Sequence, residues 1–158
     1  MKKPWNIVQL PVYSVVSNDG DKWNMNICTY VSAVSMKPKR YIVAVYHGTK
    51  TLENLQQQKT FILQLLQKDQ YKLVSVLGKK SGLRYDKEKY LQRKNQLTDW
   101  RGYQVLSAAA AWLELKIIRF IPAGDHDLFL CDVLNSKVNV QENILTTQWL
   151  SEKKIIRI

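Results

Sequence analysis

Short hydrophobic runs separated by polar turns make up most of this 158-residue chain. Runs that are rich in β-branched and aromatic residues, alternate in part and end at turn-forming residues predict β-strands. We therefore expect a fold that is mainly β-structure. The predicted strands cover residues 6–17, 23–30, 41–46, 61–66, 127–140, at least the second half of 106–120, and an edge strand at 154–158.

Two short helices are predicted between these strands. Thr49 and Thr51 are helix-capping residues, Glu53 favours a first turn, and the apolar spacing that follows suits a short amphipathic helix. A second helix is predicted over 71–77, closed by Gly78. Because strands and helices do not alternate regularly, the pattern favours a closed or nearly closed antiparallel barrel over a doubly wound sheet. Residues 1–158 show no linker or repeat and are predicted to form one domain.

The net charge of +11 is the one extreme feature of the composition. It favours a nucleic acid, an anionic membrane or a phosphorylated ligand as partner, without choosing among them. Residues 79–94 hold seven Lys or Arg against two acidic residues, which predicts a basic loop and helix. No apolar run approaches the roughly 18 residues of a membrane span, and no signal segment is present, so we expect a soluble cytoplasmic protein.

Several catalytic and metal-binding motifs are missing from the chain. The six glycines form neither GxGxxG nor the Walker spacing, and there is no GxSxG or HExxH motif. Cys28 and Cys131 lack the further ligands of a zinc site, so we predict small buried hydrophobic residues and no metal. If the protein catalyses a reaction, a bound cofactor is expected to supply the chemistry.

Several other short motifs occur in a fixed order along the chain. In sequence order they are NICT and VSMKP (26–29, 34–38), YIVAVY and TKTLENL (41–46, 49–55), FILQLL (61–66), AAWLEL (110–115) and GDHDLF (124–129). Together they resemble the motifs of the flavin reductase family, the FMN-binding split barrels that reduce flavin with NAD(P)H. The resemblance covers residues 7 to 134 and implies a mainly β split barrel of Greek-key topology with a few short helices.

The chain departs from the family pattern at four positions. Gln64 replaces the usual asparagine, Leu115 the usual cysteine and Cys131 a glycine, and Tyr46 stands where some members have arginine. These departures keep open a second class of function, a flavin-binding electron carrier or module without NAD(P)H turnover.

The segment from His47 to Thr51 is the predicted phosphate anchor of the flavin. Thr49, Lys50 and Thr51 supply hydroxyl groups, a cation and unpaired backbone N–H groups at a predicted helix N-terminus, directly after His47 and Gly48. The alternative is an ordinary helix cap with a solvated lysine.

The predicted contacts to the flavin ring come from other strands. The resemblance implies that Asn26, with backbone groups of Cys28 and Thr29, serves the polar edge of the ring, and that Ser35 contacts the ribityl chain. Gln64 occupies a further position of the family's flavin site. The alternative is that these are strand residues with packing roles only.

Two further segments complete the predicted site. Ser81, within the Lys80–Ser81–Gly82 loop, is placed by the resemblance over a second phosphate or the nicotinamide partner. The resemblance also implies that His126 assists nicotinamide binding or proton handling, and imidazole titrates in the range that either role needs. The alternative for His126 is a turn residue that bonds within its own loop.

The mechanism implied by the resemblance is hydride transfer from NAD(P)H to FMN, with FAD or riboflavin as possible substrates. It further implies a homodimer and, as partner, a flavin-dependent monooxygenase or another electron acceptor. A nucleic-acid-binding barrel ranks last, since the chain lacks a clustered basic and aromatic stripe. We expect neither nucleic acid nor membrane as a partner.

Overall fold

The computed structural model describes residues 1–158 and consists mainly of antiparallel strands. The strands are β1 (Tyr13–Asn18), β2 (Trp23–Met25), β3 (Val31–Met36), β4 (Lys39–Tyr46), β5 (Thr60–Leu65), β6 (Leu97–Trp100), β7 (Tyr103–Leu106), β8 (Ala111–Ala123) and β9 (His126–Val138). Seven of them form one sheet in the order β2-β1-β5-β8-β9-β4-β3, and β6 and β7 form a separate hairpin.

Four short α-helices accompany the strands. They are α1 (Lys50–Gln57), α2 (Val74–Leu77), α3 (Lys87–Arg93) and α4 (Thr147–Glu152), and 3-10 turns cover Pro4–Asn6 and Lys68–Leu73. Helix α1 begins where predicted, because the Thr49 hydroxyl accepts a hydrogen bond from the Leu52 N–H and caps the first turn. No helix of the chain is both long enough and apolar enough to cross a membrane.

Two hydrophobic cores bury both faces of the central strands. One, the strand core, lies among β1, β4, β5, β8, β9 and α1, and the other, the helix core, lies against α2, α3, α4 and β7. In β1, Val15 enters the strand core and Val16 the helix core, and in β5 Phe61 and Ile62 divide in the same way. Because successive strand residues point to opposite faces, burial on both sides requires continuous apolar runs. This requirement explains the runs from which the strands were predicted.

Three predicted strand segments are corrected by the structure. Regular pairing begins only at Tyr13, and Ile7 and Val8 are exposed ahead of it, so the first predicted strand is too long. The second stops at Met25, and beyond it only an isolated bridge from Cys28 to Tyr13 continues the pairing with β1. The predicted edge strand at 154–158 is wrong, because Ile155 and Ile156 pack against the helix core instead of pairing with a strand.

Candidate functional site

A cavity of about 420 Å³ lies where five parts of the chain converge. Its walls are formed chiefly by residues 26–30 after β2, 46–51 leading into α1, 77–82 after α2, Lys87 of α3 and His126 of β9. Ten of the twelve predicted site residues line it, namely Asn26, Cys28, Thr29, His47, Gly48, Thr49, Lys50, Thr51, Ser81 and His126. A volume of this size is within the usual range for small-molecule sites.

The start of α1 presents a group of hydrogen-bond donors at the cavity wall. The backbone N–H groups of Gly48, Thr49, Lys50 and Thr51 make no hydrogen bond within the chain. The Thr51 hydroxyl accepts a bond from the Asn24 side chain at 3.1 Å and keeps its own proton free to donate. Unpaired N–H groups at a helix N-terminus attract anions, so this wall is suited to a phosphate group.

Lys50 is less available than the sequence suggests. Its ammonium lies 3.1 Å from the Asp19 carboxylate and 3.9 Å from Glu53. Hydrogen bonds from backbone N–H groups and from Lys50 lower the pKa of Asp19 to about 2, so this carboxylate stays charged at neutral pH. The charge of Lys50 is therefore already compensated by the chain.

The segment after β2 supplies polar groups of a different kind. The Asn26 side-chain oxygen accepts a bond from the Val15 N–H at 2.7 Å, which leaves its NH2 group without a partner in the chain. The N–H groups of Thr29 and Tyr30 are also unpaired, whereas both backbone groups of Cys28 bond to Tyr13. Donors for a ring edge thus come from Asn26, Thr29 and Tyr30, and the Cys28 backbone is not free for that role.

An aromatic group surrounds His126 at the cavity wall. The ring centre of His126 lies 5.3 Å from that of Tyr30 and 5.1 Å from that of Tyr46. The Nδ1 atom of His126 is 2.6 Å from the Asp125 carboxylate. Both tyrosines are more than half exposed, whereas the imidazole is one-fifth exposed. His126 therefore has one nitrogen held by Asp125 and the other without a partner in the chain.

His47 is held by a carboxylate on the neighbouring strand. Its Nε2 lies 2.9 Å from Asp127, which is largely buried, and its backbone N–H donates to the Asp125 carbonyl. These contacts fix the turn that leads from β4 into α1. His47 thus has a structural partner that the sequence did not indicate.

Two predicted site residues lie outside the cavity. Gln64 is fully buried beside the helix core, where its Oε1 accepts the Leu106 N–H at 2.8 Å and its Nε2 donates to Ser14 and Met25. Ser35 lies in the β3–β4 hairpin, paired with Arg40. The structure does not bring either residue to the cavity.

Three polar cavity residues were not singled out in the sequence: Asn24, Tyr30 and Lys87. Tyr30 follows the NICT motif directly, and Asn24 lies two positions before it, so their proximity to the motif was a usable signal. Lys87 gave no signal, because it stands within a basic stretch of the kind that is usually solvated. In the structure it is 5% exposed, and burial lowers its pKa from 10.5 to about 8.

Comparison with known proteins yields one family and several relatives. The family described as flavin reductase like domain matches residues 6–148. The high molecular weight rubredoxin of Moorella thermoacetica is 23% identical over 144 residues, which make up 90% of this chain and 62% of the relative. The chain therefore spans less than two thirds of that relative's length.

Solved structures with the same architecture were also found. The FMN-binding protein from Thermus thermophilus matches with a TM-score of 0.77 at 22% identity, over 87% of this chain and 75% of the other. The NADH:FAD oxidoreductase SgcE6 from Streptomyces globisporus C-1027 matches with a TM-score of 0.74 at 20% identity, over 83% and 76%. These likenesses show the fold, and the predicted mainly β architecture is confirmed.

Proposed function

Because the chain belongs to the flavin reductase-like domain family, we propose that it binds FMN in the 420 Å³ cavity and reduces it with NAD(P)H. The observation that carries the proposal is the row of unpaired N–H groups from Gly48 to Thr51, in the same cavity as the aromatic group around His126. An anion site and aromatic side chains in one cavity suit a phosphorylated cofactor with a planar ring.

The residues present fit such a cofactor in three respects. The start of α1 provides phosphate-binding donors, and Asn26, Thr29 and Tyr30 provide donors for the polar ring edge. Gly82 lets the 77–82 loop approach the Asn24 side chain more closely than any residue with a Cβ allows. The cavity therefore has polar groups at separate positions for the two ends of the ligand.

The chain would contribute binding and orientation to the reaction. FMN, when bound, supplies a hydride acceptor, so no side chain has to act as a nucleophile. We propose that His126 contacts the nicotinamide or holds a proton at its unpartnered nitrogen, and the bond to Asp125 supports this role by fixing the ring. Tyr30 and Tyr46, which lie beside His126, would shield the faces of the imidazole ring from water.

An absorption spectrum of protein purified without added flavin tests the binding proposal. Flavin bands that co-purify, or that shift on titration with FMN, are the expected result. Steady oxidation of NADH or NADPH in the presence of FMN tests turnover. A protein that neither binds FMN nor oxidises either nucleotide would overturn the proposed function.

The His126→Ala variant tests the role of the imidazole. We expect FMN to be retained while turnover falls about a hundred- to ten-thousandfold, the usual contribution of a general acid or base. His47→Ala serves as the comparison, because His47 bonds to Asp127 in the turn. Unchanged turnover in His126→Ala would assign the histidine to the structure of its loop.

A second candidate function is a flavin-binding electron carrier without NAD(P)H turnover. The relative that is named a rubredoxin matches 90% of this chain and favours this alternative. A flavin-containing protein that is reduced by light but not by NADH or NADPH would support it. The spectrum and the turnover assay together thus distinguish the two functions.

The proposed assembly is a homodimer in the cytoplasm that hands reduced flavin to a monooxygenase or passes electrons to another acceptor. Apolar side chains exposed on β8 and β9, Phe120 and Val138 among them, support a subunit contact. Sedimentation equilibrium tests the dimer, and a monomer at all concentrations would contradict it.

A further inference from the structure

Lys87 is the first residue of α3 and is buried between two walls of the cavity. Its ammonium donates to the Met25 carbonyl at 2.9 Å and to the Leu77 carbonyl at 2.7 Å. Met25 directly precedes the wall 26–30, and Leu77 begins the wall 77–82. No carboxylate lies within 4.0 Å of this ammonium.

Every other basic side chain that lines the cavity already has a partner. The partners are a carboxylate for three of them and an aromatic ring for the fourth: Asp19 for Lys50, Asp127 for His47, Asp125 for His126, and the Tyr85 ring, 4.2 Å away, for Lys80. Lys80 and Lys87 are therefore the two lysines of the cavity wall without a carboxylate partner, and of these only Lys87 is buried.

The two carbonyl partners do not require the charge of Lys87. A neutral amine has two N–H groups, which suffice for two carbonyls, whereas the ammonium has a third. Burial disfavours the charged form and lowers its pKa to about 8, yet the group is still mostly protonated at neutral pH. An uncompensated charge in a poorly solvated site strongly favours a nearby anion.

We propose that Lys87 is a specificity-determining residue that makes the cavity favour a phosphorylated flavin over an unphosphorylated one. The phosphate of the ligand supplies the negative charge that the fold leaves out. Lys87 shares the cavity with the unpaired N–H groups at the start of α1, so two kinds of anion-binding group act there. This inference rests on the proposed flavin-binding function and names the class of flavin that the site selects.

The test compares FMN with riboflavin, which lacks the phosphate, in equilibrium titrations of flavin fluorescence. K87M removes the charge and the donors at nearly the same length, and K89M removes an exposed lysine from the same helix. We expect K87M to lose about ten- to a hundredfold in FMN affinity, the usual value of a charge-assisted contact, with riboflavin affinity changed less than about threefold. K89M should keep both affinities.

The possible outcomes separate this inference from the proposed function. Equal losses for both flavins in K87M, or an unchanged preference for FMN, would show that Lys87 only builds the walls and would overturn the inference alone. Wild-type protein that binds neither flavin would overturn the proposed function and the inference together.

The affinities of the wild-type protein for FMN and riboflavin can also be compared at different pH values. This test needs no variant and can be carried out even if K87M fails to fold. Between about pH 7 and about pH 9.5 the phosphate is a dianion throughout, so a falling preference for FMN reports the loss of a protein charge. We expect the ratio of FMN to riboflavin affinity to fall about tenfold. A ratio that does not change with pH would overturn the inference.

Other titratable groups also lie around Lys87. They line the main cavity or a neighbouring one of about 260 Å³ that also includes Lys87: Cys28, Tyr30, Tyr46, His47, Lys50, Lys80 and His126 in the first, and Asp19, Lys22, Arg84, Tyr85 and Asp86 in the second. K89M carries all of them, and so does K87M. A pH dependence that persists in K87M would therefore belong to one of these groups and would contradict the assignment to Lys87.

Discussion

Gln64 holds the β6–β7 hairpin to the central sheet. Its Oε1 accepts the Leu106 N–H at 2.8 Å in a fully buried position, and its Nε2 reaches Ser14. A buried N–H group without a hydrogen-bond acceptor lowers the free energy of unfolding more than the loss of a contact at the surface does. The family motif placed Gln64 at the flavin, but in β5 both faces are buried, so sequence alone does not decide which neighbours its side chain contacts.

Gln64→Leu is predicted to destabilise the fold without weakening flavin binding. The substitution leaves the Leu106 N–H unpaired, which costs about 1–3 kcal/mol in the free energy of unfolding. Urea denaturation measures this loss, and a titration with FMN measures affinity. An affinity loss with unchanged stability would place Gln64 in the site after all.

Gly82 is the second residue whose role is decided by its neighbours. A Cβ at this position would overlap the Asn24 side-chain oxygen and would lie 3.0 Å from the Cβ of Lys50. Gly82 therefore lets the 77–82 loop pack against β2 and α1, next to the cavity.

Gly82→Ala is predicted to lower the free energy of unfolding by about 1–3 kcal/mol, the usual cost of overpacking. Shortening the neighbour relieves the overlap, so the double variant Asn24→Ala/Gly82→Ala should be more stable than the two single effects added together. Chemical denaturation of all four proteins measures the coupling. Strict additivity would show that the loop shifts without strain.

At the scale of elements, strands formed by apolar runs that enter a hydrophobic core were the easiest to predict. Strands β4, β5, β8 and β9 follow the predicted runs closely. The apolar residues of β5 and β8 enter both cores, whereas those of β4 and β9 enter the strand core. The short strands β3, β6 and β7 were missed, because partly exposed strands have no distinct pattern and depend on pairing with a neighbour.

Helix α4 was also missed, and its start depends on a single cap. The Thr146 hydroxyl accepts the Trp149 N–H at 3.3 Å, and the helix buries Leu150 in the helix core. The helix is only six residues long, so little of its stability comes from its own hydrogen bonds.

Thr146→Ala is predicted to lower the free energy of unfolding by about 1 kcal/mol, the usual value of a lost cap. Thr146→Ser keeps the hydroxyl and should retain most of the stability. Thermal unfolding of the two variants checks the difference, and flavin binding should be unchanged, because Thr146 does not line the cavity. Equal losses in both variants would show that the methyl group, not the cap, is responsible.

At the scale of the whole molecule, alkaline pH is predicted to destabilise the fold. Burial raises the pKa of Cys28, Cys131 and Tyr13 to about 12, from 9.0 for the thiols and 10.0 for the phenol. Above these ordinary values the unfolded chain loses protons that the folded chain keeps, so the free energy of unfolding falls as pH rises toward 12. Urea titrations at increasing pH measure the decline, and a flat profile would contradict it.

Lys87 acts in the opposite direction in the same pH range. Its pKa is lowered from 10.5 to about 8, so between these values the unfolded chain holds the extra proton and the contribution of Lys87 to stability rises with pH. K87M lacks this contribution and should lose stability more steeply with pH than the wild-type protein. Parallel urea-titration profiles would show that Lys87 does not titrate in this window.

The sequence by itself determined the class of fold and the order of its motifs. Apolar runs specify strands with two buried faces, and Thr49 with its following residues specifies a capped helix, because both depend on local pattern. Ten residues that were singled out by motif line one cavity. Their motifs lie at the ends of strands and helices or in the loops between them, and such positions can be found from the local pattern.

Only the tertiary structure decided which of these groups are free to bind a ligand. It paired Lys50 with Asp19, turned Gln64 away from the cavity, and buried Lys87 between two carbonyls without a carboxylate. These outcomes depend on contacts between residues up to about 60 positions apart, such as Lys87 with Met25. Charge balance and burial are properties of the packed arrangement, and no local stretch of the chain contains them.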